Sequence, residues 1–354
     1  MDTGAPRVAV LLLLALASVA GRCSAACTGP VATPLPAVTP SPAVIPEVTA
    51  VPLDLPAGAF GAAIEGAAVN AAGDIYAADY RGGGAPPSSA VGLVLQGDRG
   101  TGRVWDPARA SLVVITQGDA PTPPLVAGGR FLPDGGLLLT DAANGRLLRV
   151  NGTAVAVACA DVEMLQPNDV AVSPPRRADG GRAGWAAPTA YLSGQRYTAD
   201  TTAGASGELW TCRDGKATRY PPALLAAAGI HRTNGIEVSP DGSALYLTAA
   251  TNVGGTVTAN RIFRFAVDGA TGALRRALPD LFNEWTGSAA AVDADGMRVD
   301  VRGDLYVTRN GAGAVEVLSP AGALTRVIRF PTLRGPSNVA FGGPRGGTLV
   351  AIDI

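Results

Sequence analysis

A short motif recurs along this chain and constrains its fold more than any other feature. EGAAV at Glu65, NDVAV at Asn168, NGIEV at Asn234, DGMRV at Asp295 and SNVAF at Ser337 each start on an oxygen-bearing side chain and reach an apolar residue four positions later. Three of them run on through a tight Gly turn into a second apolar strand near a Tyr: AAGDIYAAD, SPDGSALYLT and DVRGDLYVT. GGRFLPDGGLLLTD is a sixth, degenerate copy, and aligning its Phe131 puts Ala127 where the others carry oxygen. Short aliphatic runs joined by Asp-Gly or Gly-Asp turns are β-hairpins. Further strands follow several of them, as in RLLRV (146–150), RIFRFAV (261–267) and AVEVLSP (314–320). Units of about four strands in about six copies predict an all-β chain, a six-bladed β-propeller over 51–354. A β-sandwich would explain the short strands but not the polar residue that returns at the start of each unit. No segment has a convincing helical period; the best candidate, 222–230, is short enough to be one turn in a loop.

Outside the repeat, residues 1–26 read as a secretory signal peptide, with Arg7 before the apolar stretch Val8–Ala20 and small residues at Ser24, Ala25 and Ala26. That stretch is too short to span a bilayer, and no later segment is long and apolar enough, so the mature chain is expected to be secreted without a membrane span; an uncleaved anchor is the alternative. Residues 27–50 form a Pro-rich linker. Segments 81–103 and 174–188, rich in Gly, Pro, Ala and Arg, read as surface loops. The last repeat begins so near Ile354 that its blade has room for about two strands of its own, and 43–55 (VIPEVTAVPLDL) is the candidate to supply an outer strand and close the ring. A formal charge of −1 and scattered arginines argue against a nucleic-acid partner. Of the four cysteines, Cys23 leaves with the signal and Cys27 sits on the linker, while Cys159 and Cys212 either pair, as an exported domain allows, or stay as buried thiols. Asn151-Gly152-Thr153 is an N-glycosylation sequon.

In a propeller the innermost strands line the axis, so equivalent positions of successive blades form a ring. The first residue of the repeat puts Glu65, Asn168, Asn234, Asp295 and Ser337 in that ring, with Ala127 as its gap. Two carboxylates and two amide carbonyls, with no thiol or imidazole, make a hard-oxygen set that suits Ca²⁺ first and also Mg²⁺ or Mn²⁺. Asn-Gly and Asp-Gly are also common turn formers, and for Ser337 a purely local role is favoured. Asp293, Asp300 and Asp169 are neighbouring carboxylates, and Asp293 shares a strand face with Asp295. His231, the one histidine, excludes any mechanism that needs a His pair. No G-x-S-x-G is present, which argues against acyl-serine chemistry.

From about Glu65 onward, and most clearly in its last third, the chain resembles the regucalcin/gluconolactonase (senescence marker protein) family. TNGIEVSPDGSALYLT (233–248) is similar to that family's Asn-Gly strand, DGMRVDVRGDLYVT (295–308) to its Asp-Gly-Met segment, and GPSNVAFGGPRGGTLVAI (335–352) to its closing Phe-Gly-Gly segment. The resemblance implies a six-bladed propeller with one divalent metal on the axis and lactonase chemistry among its members. By position it implies Glu65, Asn234 and Asp295 as metal ligands, Asn168 as a substrate-proximal residue and Asp295 as general base. Ala67 and Val69 depart from the family's Glu-Gly-Pro and following Trp, and Gln166 stands where sugar-lactone members often carry Arg. The expectation is a monomeric, divalent-metal-dependent hydrolase of a lactone or related ester. The alternatives are a non-catalytic propeller pinned by its ion and, at fold level only, an enzyme of the strictosidine synthase type.

Overall fold

The computed structural model of the chain describes residues 8–12, 45–53, 60, 63–80, 90–95, 113–114, 122–174, 176–177, 185–186, 188–195, 199–202, 207–343 and 346–353. Cys27, the proposed cleavage site and most of the Pro-rich linker lie outside them.

Strands dominate, and the inner ones are buried along nearly their whole length. The first blade is Ile64–Val69, Ile75–Asp79, Ala90–Leu95 and Val113–Val114. The second is Val126–Phe131, Leu137–Asp141, Arg146–Asn151 and Ala154–Ala160. The third is Pro167–Val172, Ala190–Gln195, Gly207–Arg213 and Lys216–Arg219. The fourth is Arg232–Val238, Ala244–Val253, Thr256–Ala266 and Asp280–Trp285. The fifth is Asp293–Val299, Leu305–Asn310, Ala314–Leu318 and Leu324–Arg329, with Glu47–Thr49 added in parallel at its edge. One further sheet is assembled from both ends of the chain: Pro336–Gly342, Thr348–Asp353, Val8–Leu12 and Val51–Leu53.

The packing follows from the period-2 pattern, because each strand points alternate side chains at the sheet before and the sheet after. Ala68 and Ala78 of the first blade meet Val126, Leu139 and Leu148 of the second. Leu147 and Cys159 meet Val170, Leu192 and Trp210 across the next interface. Further around, Ala171, Tyr191 and Leu209 pack on Ile236, Leu245 and Phe263, and Tyr246 and Ile262 on Met297, Leu305 and Val307. Val315 and Ile328 pack on Val339 and Leu349, and Ile64 and Ile75 on Ala340, Val350 and Ile352. The last pairing returns to the first blade, so the cores close a ring. A sandwich would bury one continuous layer, not a separate seam between each pair of neighbours. The fold is an all-β propeller.

Three readings of the sequence are corrected here. Within 81–103, Ala90–Leu95 is the third strand of the first blade; its apolar run AVGLVL was overshadowed by the flanking Gly, Pro and Ser. Within 174–188, Arg176–Arg177 pairs with Trp185–Ala186. Segment 222–230 contains a true helix, Pro222–Ala227, whose buried Leu225 docks it on the seam between the third and fourth blades. Segment 43–55 does supply the outer strand of the closing sheet, Val51–Leu53, and Val8–Leu12, part of the stretch read as a leader, lies between it and Thr348–Asp353.

Cys159, on the outermost strand of the second blade, forms a disulfide with Cys212 of the third blade, with Cα atoms 6.1 Å apart. The bond ties two sheets across their outer seam and closes a loop of 53 residues, so it restricts the unfolded chain. Replacing both cysteines with alanine is expected to cost about 2–4 kcal/mol, read as a lower midpoint in denaturant titration with the native fold retained.

Candidate active site

Every ring residue named from the repeat lies near the N-terminal end of an innermost strand. In all five consecutive blades a register shift interrupts the pairing of that strand with its neighbour, as between Thr233 and Ile236 and between Ala294 and Met297. The extra residue of such a bulge turns a side chain out of the ladder and toward the axis. Hydroxyls on the second strands hold the bulges. Thr140 accepts from the Gly128 N–H at 2.7 Å and donates to the Asn168 carbonyl at 2.8 Å, and Thr308 lies 2.9 Å from the Gly296 carbonyl. The strands crowd so closely that a Cβ on Gly235 would stand 2.2 Å from the Asp295 carbonyl oxygen, and one on Gly66 (φ 61°) 2.5 Å from that of Ala127. Only glycine fits at either place.

Glu65, Asn234 and Asp295 are all buried there. Burial pushes the Glu65 carboxyl well above its usual range, and the charges of Asp295 and Asp169 push it further. Asp295 is pushed up to about 8, first by burial and then by Asp293, against a hydrogen bond from Asn310 and the charge of Arg232. Asn310 donates from Nδ2 to Asp295 Oδ2 at 3.2 Å. Gly235, the residue after Asn234, lies against the Asp295 backbone, and Asn234 Oδ1 is buried with no hydrogen-bond partner among the described residues. Two buried carboxylates in electrostatic contact are short of positive charge, and the orphaned amide oxygen at the same repeat position is short of a donor. A hard divalent cation would meet both deficits, so the donor set fits one. Among the described residues, no group of three or more His, Cys, Asp or Glu gathers at metal-binding spacing.

The other residues resolve individually. Asn168 is half-buried beside this cluster, two positions after Gln166, whose φ of 38° places a non-glycine residue in the left-handed region. Such strain concentrates at functional sites. Ser337 serves two neighbours: its hydroxyl donates to the Ile64 carbonyl at 2.9 Å, clasping the closing sheet to the first blade, and it also hydrogen-bonds the Glu65 carboxyl, which favours the charged form. Asp293 pairs with the buried Arg232 of the neighbouring blade. Asp300 sits in an outer turn with Arg302 and Asp304, and the half-buried His231 lies one residue before the fourth inner strand.

Sequence reasoning missed a second charged layer further along the axis. Arg130 pairs with Glu237 at 2.5 Å, and Arg298 lies 3.8 Å from both Asp169 and Glu237 while donating to the Ala67 carbonyl at 2.7 Å. Burial lowers Arg298 to about 10 and raises Asp169. The signal was present: three residues after each ring position the repeat carries Ala68, Ala171 and Ala340 in three copies, but Arg130, Glu237 and Arg298 in the others. A charge in an otherwise small, buried repeat position needs a partner across the axis.

Residues 100–351 match the SMP-30/gluconolactonase/LRE-like region, well over half of the sequence. The chain belongs to that family. Glu65 and the first blade's inner strand precede the matched residues. No curated protein sequence matches the chain. In three dimensions it resembles a calcium-binding regucalcin from Agrobacterium tumefaciens, at 18% identity over 82% of this chain and 90% of that one, with a TM-score of 0.57. It also resembles a luciferin-regenerating enzyme (14% identity, 82% and 91% covered, TM-score 0.52) and a gluconolactonase from Xanthomonas campestris (18%, 82% and 86%, TM-score 0.50). At these identities the likeness speaks for the fold.

Because the folded pKa of Asp295 lies above its value of 3.8 in the unfolded chain, the cation-free native state holds an extra proton between the two. Its contribution to stability is complete below the unfolded value and is lost as the pH rises toward 8. In chelator, the unfolding free energy of the wild type relative to Asp295→Asn is therefore expected to fall from pH 5 to pH 8, by at most about 1.4 kcal/mol per pH unit for one proton. Calorimetry across that range checks it.

Proposed function

We propose that this chain is a six-bladed, divalent-cation-dependent hydrolase of a lactone or related ester. The observation that carries the reading is the pair of buried, mutually repelling carboxylates, Glu65 and Asp295, together with the orphaned Oδ1 of Asn234, whose following Gly235 lies against the Asp295 backbone. These three side chains would hold the ion, with Ca²⁺ favoured by the all-oxygen set and Mg²⁺ or Mn²⁺ feasible. When bound, the cation supplies a Lewis acid for the substrate carbonyl and charge stabilisation for the oxyanion.

The chain's own residues do the rest. Asn310 holds one oxygen of Asp295, which leaves the other to take a proton from the attacking water. The Arg232–Asp293 pair fixes the strand start from which Asp295 projects. Asn168 supplies an amide at the rim for the substrate's polar groups. Asp295 is pushed toward neutrality by burial, so its ability to act as a base depends on the site's being charge-compensated.

Export is part of the proposal. The apolar Val8–Ala20 stretch and the Cys159–Cys212 bond both suit an oxidising compartment. No helix among the described residues is long and apolar enough to cross a membrane. Cleavage after the leader would withdraw Val8–Leu12 from the closing sheet, so the N-terminal sequence of the exported protein decides between two uses of that segment.

Hydrolysis of a lactone panel is expected to need added divalent cation and to stop in chelator. Asp295→Asn is expected to lower turnover by about 10²–10⁴-fold with the fold retained by circular dichroism. If Asp295→Asn instead lowers the melting temperature and no lactone turns over in the wild type, the ion is a structural pin and the propeller is a binding protein.

A further inference from the structure

The sequon Asn151-Gly152-Thr153 sits where a modification would have a physical purpose. It is the tip of a two-residue hairpin: Asn151 pairs with Ala154, Gly152 has a φ of 58° with open space around it, and Asn151, Gly152 and Thr153 are all exposed. Gly at the first central position is what a type II′ turn requires, and the turn presents the Asn side chain to solvent.

The strand that leaves this turn is the outermost of the second blade, Ala154–Ala160, with the sequence AVAVACA. It carries no charge. Val157 is 42% exposed, and Val162 just beyond it is completely exposed. The other outermost strands whose side chains are described are guarded. Lys216–Arg219 carries two cations, and Asp280–Trp285 carries Asp280 and Glu284, paired with Arg264 and Arg261. Leu324–Arg329 carries two arginines and is covered by Glu47–Thr49. An apolar, uncharged edge strand is a template for pairing with another copy, and proteins that tolerate one cover it. The Cys159–Cys212 bond anchors the far end of Ala154–Ala160 to the third blade. The half next to Asn151 has no such anchor.

We propose that Asn151 is an N-glycosylation site whose oligosaccharide shields the apolar edge of the second blade. The inference goes beyond the hydrolase reading and rests only on its export clause. The side-chain nitrogen of Asn151 would displace the diphosphate from C1 of a lipid-diphosphate-linked oligosaccharide, the donor of the secretory compartment. The N–C1 bond forms, the C1–O bond breaks, and the amide nitrogen loses one proton to the transferase.

The test uses the full chain made in a eukaryotic secretory host. Wild type and Thr153→Ser are expected to lose mass on treatment with an N-glycan amidase, whereas Asn151→Gln and Thr153→Ala are expected to show no change. Asn151→Gln is expected to self-associate on concentration, with a roughly two-fold or greater rise in weight-average mass by light scattering, and Val157→Lys in the same background is expected to restore the monomer. An exported wild type that carries no glycan at Asn151 overturns the proposal alone. A glycosylated chain whose Asn151→Gln variant stays monomeric overturns the shielding role. A chain that never enters the secretory pathway overturns the export reading and this inference with it.

Discussion

The structure depends on how closely its innermost strands approach one another around the axis. Each must bring its backbone against the next, and at Gly235 the neighbouring carbonyl of Asp295 leaves no space for a side chain. That proximity puts residues separated by more than two hundred positions, such as Arg298 and Ala67, within hydrogen-bond distance. It also puts Glu65 and Asp295 in electrostatic contact. The bulge at the start of each inner strand and the Thr or Ser hydroxyl that holds it are the local devices that make the approach possible.

Crowding charges on an axis has consequences that differ along it. In the second layer, Arg130 and Arg298 face Glu237 and Asp169, so the charges largely cancel. Such a network contributes little net stability, because desolvation offsets most of the attraction, but removing one partner is costly. In the first layer there is no such balance: Glu65 and Asp295 have the Asn234 amide oxygen beside them, and Arg232 is engaged by Asp293. In one layer the charges are paired within the protein, and in the other two carboxylates face each other without a matching cation. That contrast separates a structural network from a candidate site.

Much of this was legible in the sequence because a propeller writes its geometry as repetition. Glu65, Asn234 and Asp295 share a repeat position, and all three are buried at the starts of inner strands for that reason. Ser337 shares the position too, and its hydroxyl is divided between the Ile64 carbonyl of the next sheet and the Glu65 carboxyl, which no single repeat could reveal. Asn310 was invisible because it lies on a second strand, where the repeat asks only for apolar alternation. Ala90–Leu95 was hidden by the Gly- and Pro-rich residues around it.

The chain's own residue order determined the all-β architecture and the inner-strand positions of the polar repeat residues, because alternation, turn residues and repeat phase are local properties. Only the tertiary structure decided which charges are balanced and which are not, that Cys159 meets Cys212, and that Val8–Leu12 rather than 43–55 lies beside Thr348–Asp353. These are contacts between segments far apart in sequence, and their energies depend on burial and distance, which no local pattern encodes.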